Sequence, residues 1–161
     1  LSKLLAEDVL HRLRQQGLQV CILRPTSIYG YGLRGDKLIS RLLSSASTDT
    51  ILELSEPVDD CFDLIHATDV ATAVVNILTK KSWETFNISS GNPVSFLSLA
   101  QCCIEVVGKG RISICGSKPS SSYIPAVRYS LDNRYASDVL GWKPNINLQL
   151  GLQMQFSKRI H

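Results

Sequence analysis

The chain has 161 residues, 17 Lys+Arg against 14 Asp+Glu, and 44% hydrophobic residues. Its net charge of +3, spread along the whole length, is too weak to suggest a nucleic-acid partner, and the 19% charged residues argue against disorder. No uninterrupted apolar run reaches membrane-spanning length, so no membrane partner is expected.

The chain opens on Leu1, without an initiator Met, inside an amphipathic segment. Leu1, Leu4, Leu5, Val9 and Leu13 follow helical spacing with no cap in front of them. Such a start predicts either a removed upstream stretch or the back part of a longer fold. The helix is expected to end at Gln15 or Gln16, with Arg12 and Arg14 in its last turn and Gly17 as its stop. Residues 18–23 end in four consecutive apolar residues and predict a strand buried on both faces of a parallel sheet. Arg24-Pro25 is expected to end it, because proline cannot donate to a ladder. The turn-rich Tyr29-Gly30-Tyr31-Gly32 comes next, at the strand's carboxyl end, where open α/β sheets bind ligands.

A helix is predicted from Asp36, with Asp36 as cap and Leu38, Ile39, Leu42 and Leu43 on one face. Ser44 to Thr50 reads as a loop, and residues 51–54 and 62–66 as strands. Thr68 or Asp69 is expected to cap the next helix, which carries Val70, Ala71, Val74, Val75, Ile77 and Leu78. Residues 85–89 predict a strand, and Ser90-Gly91-Asn92-Pro93 a turn. A helix from about Ser95 to Val107, stopped by Gly108, leads to a strand over 111–115. Gly116 to Ser122 is Ser-rich and reads as mobile. Short helices near residues 133–140 and 148–156 complete the pattern.

Helices alternating with apolar strands define an α/β chain. The early part suits a parallel sheet and the later part a smaller mixed lobe. Gly30, Gly32 and Gly35 have G-x-G-x-x-G spacing, but the glycines do not open a helix within a βαβ unit. The match is therefore rejected as a phosphate loop.

Several blocks then line up in order. Ser2-Lys3-x-x-x-Glu7 is followed by Leu23-Arg24-Pro25-Thr26-Ser27-Ile28-Tyr29-Gly30, by Asp63-Leu64-Ile65-His66-Ala67-Thr68-Asp69-Val70-Ala71 and by Phe86-Asn87-Ile88-Ser89-Ser90-Gly91. Asp132 with Leu140-Gly141-Trp142-Lys143-Pro144 completes the series. Together they resemble the C-terminal half of the extended short-chain dehydrogenase/reductases, the NAD-dependent epimerases and dehydratases, many of which act on nucleotide sugars. The resemblance implies the C-terminal part of a Rossmann-like parallel sheet plus a smaller mixed α/β substrate-binding lobe. Residues 1–30 would end the dinucleotide-binding domain and 31–161 would form mainly the substrate lobe, with 62–90 returning to the first domain.

The same resemblance assigns Lys3 to the lysine of a catalytic Tyr-x-x-x-Lys pair, whose tyrosine would fall before Leu1. A phenol titrates near pH 10 and becomes a useful base only when a nearby ammonium favours the phenolate. Spacing of four residues puts both groups on one helix face. Taken alone, Lys3 reads as a solvated helix lysine. In the family that lysine also holds the nicotinamide ribose, so Lys3, Pro25, Thr26, Ser27 and Tyr29 are implied contacts of NAD or NADP. Ser27 and Arg128, the latter four residues before Asp132 as in the family, are implied contacts of a sugar or nucleotide-sugar substrate; Arg34, with Lys37 and Arg41, is a further candidate cation for it, although such residues more often form a solvated face. Read without the family, Pro25 to Tyr29 is turn chemistry with Tyr29 as a packed aromatic.

Two positions depart from the family pattern: Phe62 and Ser122 stand where many members have arginine. Paired guanidiniums clamp a diphosphate, so these departures put a nucleoside-diphosphate substrate in doubt. The expected activity is that of an epimerase, dehydratase or reductase working by transient hydride transfer, with these 161 residues alone inactive. The alternative is a non-catalytic relative that binds or scaffolds. The helix of Lys3 is also implied as a homodimer interface.

The remaining candidates carry less. Cys21, Cys61, Cys102, Cys103 and Cys115 are odd in number and lack C-x-x-C spacing. They predict small buried hydrophobes in a reducing compartment, hence a cytoplasmic location. His11, His66 and His161 lack metal-ligand spacing, so no metal is expected, and His66 reads as a structural strand residue.

Overall fold

A computed structural model describes residues 1–55, 57–116 and 128–158. Its organising feature is a strand that changes partner. β1 (Ile22–Pro25) pairs in parallel with β6 (Thr85–Ile88), from Ile22 against Thr85 to Pro25 against Ile88. One residue later the chain becomes β2 (Ser27–Tyr29) and pairs in parallel with β5 (Leu64–His66). Thr26 N–H still donates to Ile88 O at 3.0 Å, whereas Ser27 N–H donates to Asp63 O at 3.3 Å. The sheet therefore forks between β5 and β6, and Thr26 stands at the fork.

The observed β1 lies later than the predicted strand and includes Pro25. Ile22 N–H donates to Glu84 O and Thr26 N–H to Ile88 O. The period of two therefore turns the Pro25 nitrogen away from β6, where its missing N–H breaks no ladder bond. Residues 18–21 have no strand beside them among the described residues. They form a connection held by Arg14 Nη2, which donates to Val20 O at 3.0 Å.

Three further expectations are corrected at element ends. α2 (Leu38–Ser47) begins after Lys37, not at Asp36, because the Asp36 carboxylate is paired with Arg34 at 3.1 Å. It also runs into the predicted loop. Buried Ala46 packs on Gly110, and Ser47 Oγ donates back to Leu43 O at 2.6 Å. The single strand expected over 62–66 is split at Asp63 into β4 (Cys61–Phe62) and β5. β4 runs antiparallel to β7 (Val94–Ser95). α3 (Ala67–Lys80) is capped by His66, whose Nδ1 accepts Thr68 N–H at 3.2 Å, and not by Thr68 or Asp69.

Elsewhere the expected elements form. α1 spans Ser2–Gln15, β3 Ile51–Ser55, α4 Phe96–Val107, β8 Arg111–Cys115, α5 Arg134–Leu140 and α6 Leu148–Ser157. Ser95 Oγ caps α4 by accepting Ser98 N–H at 3.0 Å, and Gly108 ends it with φ 81°. β3 and β8 pair in parallel over five residue pairs.

Two apolar cores result. One gathers Leu42 and Leu43 of α2, Leu52 and Leu54 of β3, Leu99 and Cys103 of α4, Leu152 of α6, and Tyr29. The other joins Phe86 and Ile88 of β6 to Ile65, to Ala73 and Ile77 of α3, and to Ala136, Leu140 and Trp142. α1 buries none of its residues. Its apolar face, Leu1, Leu4, Leu5, Val9 and Leu13, is exposed.

Two contacts test this packing. A Cβ at Gly151 of α6 would lie 2.8 Å from Tyr29 Cε2 and Cζ and closer still to the hydroxyl. Gly151→Ala is expected to destabilise the chain by roughly 1–3 kcal/mol despite alanine's better helix propensity, read as a lower urea midpoint. Burial holds the His66 imidazole below its ordinary 6.5; the Asp69 carboxylate opposes that shift and the Lys158 ammonium adds to it. The unfolded chain therefore takes up the proton first, and stability should fall as pH drops through about 6.5. Urea midpoints between about pH 7.5 and 5.5 should fall less steeply in His66→Asn, which still caps the helix but cannot titrate. Equal slopes would refute this account.

Candidate functional site

The fork lies at the carboxyl ends of β1 and β6 and the amino ends of β2 and β5, and the carboxyl ends of parallel strands are where α/β sheets place ligands. Three chain segments meet there: the turn at Thr26-Ser27, the loop after β6, and residues 130–133. Asp63 holds them. Its carboxylate is fully buried. Oδ1 accepts Thr26 Oγ1 at 3.3 Å, Ser90 N–H at 2.9 Å and Ser90 Oγ at 2.6 Å. Oδ2 accepts Gly91 N–H at 3.0 Å and the hydroxyl of Ser130. Side chains stitch the third segment along β6: Ser89 Oγ donates to Leu131 O at 2.6 Å, and Asn133 Nδ2 donates to Ser89 O at 2.8 Å.

At the mouth of the fork, Pro25 and Ser27 are exposed, and Thr26 is half-buried. Among the described residues no hydrogen bond engages Ser27 Oγ, which leaves that hydroxyl available to a ligand. Lys3 is exposed on α1. Glu7 sits one turn later on the same face and takes both Nε and Nη2 of Arg24 in a bidentate pair. The guanidinium holds the Glu7 carboxyl below the usual carboxylate range. This pair fixes the face of α1 that carries Lys3 beside the end of β1.

The other expected residues lie apart from this turn. Tyr29 is buried, its hydroxyl donating to Asn147 O at 3.4 Å and its ring edge-on to His66 at 5.2 Å. Burial pushes its phenol well above the ordinary value, with the Asp69 and Cys102 charges adding to the shift. Its side chain thus serves the core, as a packed aromatic, and is closed to a ligand. Arg34 spends its guanidinium on Asp36 at the surface. Arg128 is exposed and bridges Cys61 at the edge of β4.

Phe62 occupies the first departure from the family pattern. Its ring packs against Phe96, with centroids 4.7 Å apart and planes at 49°. With Leu38, Asp60, Cys61 and Tyr129 these rings line a cavity of about 320 Å³. The position thus offers an aromatic wall where a guanidinium was sought. Ser122, the second departure, His161, and all but the first residue of the Ser-rich stretch lie outside the described residues.

All five cysteines are free. Cys103 is buried, and burial pushes its thiol up to about 12, so it is no nucleophile. Cys115 is exposed, correcting the expectation of uniformly buried thiols: it ends β8, whose last two residues face solvent. Among the described residues no cluster of His, Cys, Asp or Glu could hold a metal ion, and no helix is long and apolar enough to cross a membrane.

Sequence reasoning missed Asp63, Ser90 and Ser130 as parts of one site. The only available signal was that Asp63 and Ser90 fall inside two of the matched blocks. Their convergence is a tertiary fact, with partners 27 and 67 residues away along the chain.

Comparisons with known proteins agree with this geometry. The profile of the NAD dependent epimerase/dehydratase family matches residues 1–89. The chain is similar to a dTDP-4-dehydro-6-deoxy-D-allose reductase of Streptomyces bikiniensis, 28% identical over 149 residues, which cover 89% of this chain and 44% of that protein. The crystal structure of a UDP-glucuronic acid 4-epimerase from Bacillus cereus, in complex with NAD and a fluorinated UDP-sugar, matches with TM-score 0.78 at 22% identity. That match covers 96% of this chain and 50% of the epimerase. RMD from Pseudomonas aeruginosa, complexed with NADPH, matches with TM-score 0.76 at 22% identity over 97% of this chain and 53% of its own. The chain spans about half the length of these relatives. The fold is that of Rossmann-like epimerases and dehydratases, and the profile match covers more than half of the sequence. The chain belongs to the NAD dependent epimerase/dehydratase family.

Proposed function

We propose that the protein carrying this chain is an NAD(P)-dependent epimerase, dehydratase or reductase acting on a sugar or nucleotide sugar. One observation carries the reading: Pro25 and Ser27 lie exposed at a fork of parallel strands, while the Glu7–Arg24 pair fixes the helix face of Lys3 beside them. NAD or NADP, when bound, would accept a hydride from the substrate and return or redirect it. Lys3 would bind the nicotinamide ribose and favour the phenolate of a tyrosine four residues earlier, a position that would precede Leu1. On that reading the 161 residues on their own are expected to be inactive. Pro25 would offer an apolar surface to the cofactor ring, Thr26 a rigidly held backbone, and Ser27 Oγ a hydrogen bond to a carboxamide or sugar hydroxyl. Tyr29 supports this turn from behind, through α6.

On the same reading, residues 1–30 and 62–90 belong to the dinucleotide-binding domain, and most of 31–161 forms the substrate lobe. Arg128, whose backbone bridges Cys61 at the edge of the cavity of Phe62 and Tyr129, would be the cation to meet a phosphate. Arg34 would first have to leave Asp36. The uncovered apolar face of α1 suits a homodimer contact, and the free cysteines suit the cytoplasm. A second reading, a non-catalytic relative that binds or scaffolds, is favoured by the aromatic Phe62 at a clamp position.

The test is titration of NAD, NADH, NADP and NADPH against the natural full-length protein, followed by turnover of nucleotide sugars. One cofactor pair is expected to bind, and Lys3→Met is expected to lower kcat by about 100-fold or more. Binding without turnover of any sugar would favour the second reading. Binding of neither pair would sink both the cofactor and the activity.

A further inference from the structure

We propose that Asp63 is the positioning residue of the cofactor-facing turn, acting through Thr26. This inference rests on the functional reading above, which places the cofactor against residues 25–27. Asp63 brackets the turn from two sides: its backbone oxygen accepts Ser27 N–H at 3.3 Å, and its Oδ1 accepts Thr26 Oγ1 at 3.3 Å. A third tie, Thr26 N–H to Ile88 O at 3.0 Å, comes from β6. Thr26 is therefore held by both arms of the fork, and only the tie through its hydroxyl depends on the Asp63 side chain.

That side chain is fully buried, and no ion pair among the described residues involves it. Among the described residues every partner it has is a neutral donor, drawn from the Thr26 turn, the Ser90-Gly91 loop or Ser130. The carboxylate thus sets the separation between the turn and the loop opposite. A side chain that merely filled the fork would need no such set of donors. Deleting it frees Thr26 Oγ1 and the loop together, so the turn keeps its backbone ties but loses its side-chain link to the loop opposite, at the place where the cofactor would lie.

The test is a double-mutant cycle on the natural full-length protein with Asp63→Ala, Thr26→Val and the pair combined. Cofactor Kd is read from the fluorescence of NADH or NADPH, and Tm is measured in parallel. Each single variant is expected to weaken cofactor binding about tenfold, the size of one lost buried hydrogen bond. Asp63→Ala made in the Thr26→Val background should add less than about twofold to Kd, although it lowers Tm further. Thr26→Ser, which keeps the hydroxyl, should retain wild-type affinity. That comparison of serine with valine still decides the matter if Asp63→Ala does not fold.

Asp63→Ala with lowered Tm and unchanged Kd would overturn the inference, because the carboxylate would then serve stability alone. Two Kd effects that multiply would overturn it as well, since Asp63 would not be acting through Thr26. Equal affinity of Thr26→Ser and Thr26→Val would do the same. If the wild-type protein binds neither cofactor, the functional reading itself fails, and this inference falls with it. That outcome is seen before any variant is made.

Discussion

A carboxylate buried between two diverging strands must be answered by hydrogen bonds, and at Asp63 the answer comes from three separate segments. Removing such a group from water costs several kcal/mol, and each bond to a charged acceptor returns about 1.5–3 kcal/mol. The five donors on Asp63 are therefore a condition for its burial, and those donors belong to the pieces that surround the fork. The loop after β6 and the stretch before α5 have little apolar content of their own near this point. Polar ties hold them where packing cannot.

The two apolar cores lie on either side of this polar seam. One is built from α2, β3, α4 and α6, the other from β6, α3, α5 and Trp142. β1 and β2 run between them as one continuous segment, with Tyr29 entering the first core and Leu23 lying against the second. A turn anchored in two cores and tied at its centre has little freedom left. That is the property a binding surface needs when it must present a hydroxyl and a flat ring in fixed register. α1 contrasts with it. No residue of α1 is buried, and among the described residues its side chains tie it to β1 and the connection before it through Glu7 with Arg24 and Arg14 with Val20.

The legible parts of the chain are those set by local chemistry. The start at Ser95 and the Gly108 stop marked out α4, because caps and stops act over a few residues. Errors arose where distant partners decide. Pro25 was expected to end a strand, yet only its partner's register shows that its nitrogen faces the free side. Asp36 is the exception: a cap candidate drawn off by Arg34, only two residues away. The site divides in the same way. Lys3, Pro25, Thr26 and Ser27 came from matched blocks near one another in sequence. Asp63 was not singled out, because nothing local to it reveals that its partners lie in the loop after β6 and beside β4.

Asp63 and Asp69 stand six residues apart around the junction of β5 and α3, and they solve the same problem in two places. Asp69 is also buried, and its carboxylate accepts Asn145 N–H and Ile146 N–H, each at 3.0 Å. Its backbone oxygen takes the Trp142 indole N–H at 2.9 Å. One segment thus uses two carboxylates to capture backbone from two later stretches, the loop at Ser90-Gly91 and the strap at 145–146. The residues so captured are exposed or half-buried, and the buried carboxylates give their N–H groups partners within the protein. The same strap carries Asn147, whose backbone carbonyl meets the Tyr29 hydroxyl and whose Oδ1 caps α6 by accepting Leu150 N–H at 2.9 Å. The strap that Asp69 captures closes on the aromatic at the end of β2, the strand that Asp63 starts. Two buried charges thereby hold both ends of β2, the strand that begins at Ser27.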